Sequence, residues 1–155
     1  MADFRFRGTL NGEDAVGVVK DVVAGTAASI AIGDLVIPDD VNPGYVRLIA
    51  NAEVIAAAYR VYIALSASDE TAGVDGTVKL QYAPNMILEG TATTPANLVQ
   101  AVIDTLVTVD VNTGVITVDE NDTANGFLRI KRPQGGAGNF ETTSGVMEVI
   151  ANPTN

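Results

Sequence analysis

The sequence predicts a mainly β domain, a compact sandwich or barrel-like body that carries one short amphipathic helix and an extended N-terminal arm. Three observations predict it. Short β-branched runs recur between glycine, proline, asparagine and aspartate punctuation along most of the 155 residues. The stretch "LVTVDVNTGVITVD" alternates with period two on both sides of a turn signal. Helical spacing of apolar residues is strong in one place, "TTPANLVQAVIDTL". A chain of this length can bury a core without help from metal or disulfide. Residues 1–14 read as the arm or first strand, and 15–155 as a single β-rich domain with a C-terminal extension over 133–155.

The arm rests on "FRFR", where Phe4 and Phe6 alternate with Arg5 and Arg7, followed by the turn pair Asn11-Gly12. "AVGVVKDVV" and "ASIAIGDLVIP" read as strands, the second closed by Pro38 and the polar turn "DDVNPG". "YVRLIA" (45–50) alternates again. Residues 52–58 mix helix-favouring alanine with strand-favouring neighbours and stay open between helix and strand, whereas Arg60 to Leu65 reads as strand. "TVKLQYA" and "MILEGTA" follow as short strands.

The helix spans 95–106. Thr94 is placed to cap it, Pro95 suits its first position, and Leu98, Val99, Val102, Ile103 and Leu106 share one face. Next comes a hairpin, with Val107, Val109 and Val111 on one face, a three-residue loop Asn112-Thr113-Gly114, and Ile116 and Val118 on the return. "TVDENDTANGFLRIKRP" then ends one strand, turns at Asn125-Gly126 and begins another, with Leu128 and Ile130 facing one way and Arg129 and Lys131 the other. A glycine-rich loop, "QGGAGN", and a last strand, "GVMEVIA", complete the chain.

Charge and composition narrow the function. A net charge of −10 opposes contact with phosphate backbones, so nucleic acid is not an expected partner. The longest apolar-leaning stretch, "VVAGTAASIAIGDLVIP", is interrupted by Gly25, Gly33 and Asp34 and falls short of a membrane span, so no membrane is expected; the first residues lack the apolar region of a secretory signal. Cysteine and histidine are absent, which removes thiol chemistry, the commonest general base and the best zinc ligands. Carboxylate pairs remain, but none stands out by context, and the expectation is a non-enzyme with no cofactor and no metal.

The acidic run Asp119, Glu120, Asn121, Asp122 invites a calcium reading. An EF-hand loop starting at Asp119 would put Ala124 where the sharp turn needs glycine and Ile130 where the bidentate glutamate belongs. "GGAGNF" has Phe140 where a calcium-binding nonapeptide repeat needs aspartate, and no glycine stretch has the spacing of a phosphate loop. Two cationic spots stand out on so acidic a chain. Phe4, Arg5, Phe6 and Arg7 form either a strand that adds to a partner's sheet or an ordinary first strand. Arg129, Lys131 and Arg132 either pair with the chain's own carboxylates or meet an acidic partner surface.

Several segments in order, "GDLV" (Gly33 to Val36), "YIALSAS" leading to "GVDGTVKLQ", and "TVDENDTANGFLRI", resemble the capsid decoration, or cementing, proteins of tailed bacteriophages. The likeness covers residues 16–132 and matches the style of the lambda-like head decoration proteins, although this chain is longer. The resemblance implies a compact β-tulip-like domain, homotrimers seated on the outer surface of the virion shell, the major capsid protein as partner, and an arm, here residues 4 to 7, that touches it. A carbohydrate-binding or adhesive β-sandwich on a virion or cell surface is the alternative, and the scarcity of aromatic residues weighs against it.

Overall fold

The computed structural model describes residues 4–10, 12, 14–23, 29–51, 53, 60–124, 126–133 and 145–153. These residues form eleven strands, β1 (Arg5–Thr9), β2 (Val16–Val22), β3 (Leu35–Pro38), β4 (Val46–Leu48), β5 (Tyr62–Ala64), β6 (Gly76–Tyr82), β7 (Met86–Thr91), β8 (Leu106–Asn112), β9 (Val115–Asp119), β10 (Leu128–Pro133) and β11 (Val146–Ala151). They build two antiparallel sheets packed as a β-sandwich, one ordered β1-β7-β11-β10-β8-β9 and the other β2-β6-β5-β3-β4.

Both sheets curl. In the five-stranded sheet, β2 and β4 meet through a parallel bridge from Asp21 to Tyr45, so one face of that sheet folds around its own small core of Val22, Val36, Val46, Tyr62, Val78 and Leu80. In the six-stranded sheet, Val118 of β9 bridges Ala92 just beyond β7. The main core lies between the sheets and joins Leu35, Ile37 and Ile63 to Leu88, Val109, Ile130 and their neighbours.

This arrangement explains the strand sequences. "LVIP" and "YIA" are apolar throughout because Leu35, Ile37 and Ile63 face the main core while Val36, Tyr62 and Ala64 face the smaller one. In "GTVKLQY", Val78 and Leu80 face the small core and Thr77 and Lys79 face solvent, so it alternates.

The expected helix is not there: the described residues contain no α-helix. Residues 95–106 form two short 3₁₀ turns, Pro95–Asn97 and Gln100–Val102, and then enter β8. Thr94 makes no side-chain cap, and Leu98 is already extended (φ −72°, ψ 90°), driven 99% out of solvent into the main core while Val99 stays half exposed. Burying Leu98 at the mouth of the curled sheet wins over a propensity that Val99, Val102 and Ile103 weaken.

The β8–β9 hairpin is present, with a loop one residue shorter than expected. Asn112 pairs with Val115, leaving Thr113 (φ 52°) and Gly114 (φ 81°) as a two-residue turn with two left-handed residues. Gly126 is not left-handed. It is glycine because the Leu106 carbonyl carbon and oxygen pass too close to leave room for a Cβ, which would also lie 2.7 Å from the Leu106 Cβ. Asn125, Asn11, the loop 134–139 and, apart from Glu53, the open stretch 52–58 lie outside the described residues. The segment read as an extension supplies β11, which sits inside the six-stranded sheet between β7 and β10.

The expected extended arm is likewise replaced by structure. Arg5–Thr9 is an edge strand on β7, and Phe4 is 99% buried in the main core. Gly90 makes room for its ring: a Cβ there would come within 2.5 Å of Phe4 Cε1.

Candidate functional site: a charged face on the six-stranded sheet

The two cationic stretches are far apart in sequence and lie on one face of one sheet. Cross-strand partners point the same way. Arg5 on β1 is opposite Glu89 on β7, Glu89 is opposite Glu148 on β11, and Glu148 is opposite Arg132 on β10. The backbone register therefore draws a row of cation, carboxylate, carboxylate across β1, β7 and β11, with β10 alongside. Two carboxylates side by side repel, and cations on both flanks offset that repulsion.

Side chains make the offset concrete. Arg7 Nε donates to Glu89 Oε2 at 3.0 Å, and Lys131 Nζ lies 3.7 Å from Glu148 Oε2. Glu89 and Glu148 keep only 17% and 14% of their side-chain surface, whereas Arg7 keeps 41% and Lys131 30%. The face thus presents cationic ends over half-buried anions. Register shifts at Phe6/Gly8 and at Ile130/Arg132 bend β1 and β10 near these positions.

Each residue singled out in the sequence now has a place. Phe4 is core, and Phe6 is partly buried against the same core, so neither aromatic ring is presented to a partner. Arg5 and Arg7 are exposed. Arg129 sits opposite Ile150 and Leu106, with a buried Nε that has no hydrogen-bond partner among the described residues. Arg132 contributes backbone to the row, and its side chain is outside the described set.

Sequence reading missed Glu89 and Glu148. Their signal was a single carboxylate at an outward position in the otherwise apolar strands "MILEGT" and "VMEVIA". Pairing β7 with β11, which are remote in sequence, is what makes them neighbours.

The acidic turn does different work. Glu120 is 97% buried, and its Oε1 accepts the Thr94 backbone N–H at 3.1 Å and the Asn97 side-chain amide at 3.3 Å. Asp119 Oδ1 accepts the Asn121 N–H and Asp122 Oδ1 the Ala124 N–H. These oxygens hold backbone, and among the described residues no group of three or more acidic side chains is arranged to hold a metal ion.

A second charged cluster fastens the β3–β4 turn. Arg47 forks onto Glu53 at 2.9 and 3.0 Å and reaches Asp40 at 3.1 Å; the hydrogen-bonded Glu53 carboxylate is the main reason its guanidinium is held charged even more firmly than usual. Burial would raise the Asp39 carboxyl, but hydrogen bonds from the Asn42 amide and the Val41 and Asn42 N–H groups, with Arg47 nearby, outweigh it and hold Asp39 below the usual range. The Tyr45 hydroxyl donates to Asp75 at 2.8 Å, and that bond and the Asp75 charge raise its pKa.

No family model, curated protein or solved structure matches the chain.

Proposed function

We propose that this chain is a non-enzymatic structural protein of a phage virion, one that binds the outside of the capsid and stabilises the expanded shell. A β-tulip-like description of the sandwich belongs to the same proposal. The resemblance in residues 16–132 motivates it. The observation that carries the reading onward is the charged face: a chain of net charge −10 collects Arg5, Arg7, Arg129 and Lys131 on one side of one sheet, beside an edge strand. The major capsid protein is the partner, met through Arg5 and Arg7 on the rim of that face.

Linkage supplies the mechanism. A protein that binds only the expanded shell adds stability of RT ln(1 + [L]/Kd) at every site, about 2.7 kcal/mol at a hundredfold excess over Kd, and many copies multiply it. Shape and many weak contacts suffice.

The test is cosedimentation with compact and expanded capsids. Deleting residues 1–9 would pull Phe4 from the core, so the informative variant is Arg5→Gln, which removes an exposed charge without setting a third carboxylate beside Glu89 and Glu148. We expect saturable binding to expanded shells, weakened severalfold by Arg5→Gln at low salt, with the melting temperature of the free protein followed as a control. Absence of binding to both shells would overturn the proposal, and specific glycan binding would then favour the adhesive alternative.

A further inference from the structure

The border strands of the two sheets are protected unequally. β1 carries Arg5 and Arg7 and a bulge at Gly8. β9 is bridged to Ala92, and β4 is three residues long. By contrast, β2 has seven residues in unbroken register with β6, and the run Val16, Gly17, Val18, Val19 carries no charge. Val16 and Val19 are 53% and 63% exposed, and Gly17, Val19, Leu65 and Lys79 line a shallow, mostly apolar groove of about 210 Å³. A long, regular, apolar edge is a template for another strand.

We propose that β2 pairs antiparallel with β2 of a second copy of this chain, about a twofold axis through Val18. The register follows from three constraints. The Asp21 position is already bridged to Tyr45, and among the described residues no strand pairs with 16–20 on that side, which makes 16–20 the open edge. A symmetric pairing that keeps each face on its own side is centred on a residue. Centring on Lys20 sets two lysines against each other, and centring on Val19 runs into Asp21. Centring on Val18 uses the whole open stretch, sets Lys20 against Val16, and lays Val19 over Gly17 of the second copy, where no side chain obstructs it. No like charges meet.

This contact is on the five-stranded sheet and stands whether or not the protein binds a shell. It is isologous, whereas a ring of three needs two different patches on every copy. The twofold seam is therefore an alternative to the threefold assembly that the resemblance implies.

The experiment measures the mass of the full chain by light scattering, without capsids, for native protein and for Val19→Lys. Val18→Cys and Val19→Cys are oxidised in parallel, each holding the chain's sole thiol. We expect a native mass of two chains, association weakened about tenfold or more by Val19→Lys with cooperative melting retained, and a covalent dimer from Val18→Cys but not from Val19→Cys. The strand centre brings two Cα atoms within disulfide reach, and the neighbouring position does not. A native mass of one or three chains, no response to Val19→Lys, or equal linking at both positions would overturn the proposal.

Discussion

The β8–β9 hairpin and the segment just before it, residues 94–105, carry equally clear sequence patterns and reach opposite outcomes. The hairpin forms because its information is local: alternating valines set two faces, and Gly114 permits the left-handed turn that joins them. The preceding segment has the spacing, the proline and the capping threonine of a helix and becomes two 3₁₀ turns. Its conformation is decided by distant groups. The main core takes Leu98, Glu120 takes the Thr94 N–H, and Ile130 of β10 binds both Asp104 and Thr105 through backbone hydrogen bonds. A pattern is decisive where no remote partner offers more than the local conformation does.

The largest expected effect tests the remote half of that contrast. Glu120→Ala removes the acceptor for Thr94 and Asn97 in a site with almost no solvent, and should cost about 2 to 4 kcal/mol. Denaturant unfolding measures it. Glu120→Gln keeps an acceptor oxygen and should lose less. A cost below about 0.5 kcal/mol for the alanine variant would mean that local preference, and not Glu120, holds the turn.

A smaller effect tests the local half. Gly114→Ala places a Cβ at φ 81° and should cost about 1 to 2 kcal/mol. Thr113 is a β-branched residue at φ 52°, so the hairpin carries a local penalty of its own, and Thr113→Asn should stabilise it by about 0.5 to 1 kcal/mol. If neither variant moves the melting temperature, the turn is held by its surroundings and the contrast with 94–105 disappears.

The same distinction explains what the sequence disclosed. Strands, their inward faces and most turns were legible, because burial imposes period two on "TVKLQYA" and "MILEGTA". The charged face was half legible. Arg5, Arg7, Arg129 and Lys131 stood out by charge, but the row they flank depends on β1, β7, β11 and β10 lying side by side, an order that no local pattern encodes. Asn152 shows the limit most clearly. Its side chain accepts the Val61 N–H and donates to the Val61 carbonyl, both at 2.8 Å, tying the end of β11 to the start of β5 across 91 residues. In sequence it is an ordinary asparagine before Pro153.

The smallest effect places both kinds of contact in one turn. Asp39 is held by partners within three residues, whereas Tyr45 bonds Asp75, 30 residues away. The two titrate at opposite ends of the pH scale. The folded pKa of Asp39 is depressed, so its contribution is present above its unfolded value of about 3.9 and is lost as pH falls through the folded value. The folded pKa of Tyr45 is raised, so its contribution is present below about 10 and is lost as pH rises through the folded value. Melting temperature against pH should therefore separate native protein from Asp39→Asn at neutral pH and bring them together in acid. Tyr45→Phe should differ from native at neutral pH and converge with it in alkali. A gap for Asp39→Asn that does not narrow as pH falls well below the ordinary carboxylate range would show that the Asn42 and backbone bonds hold without the charge of Asp39, and that the local geometry of this turn, not its charge, fixes it.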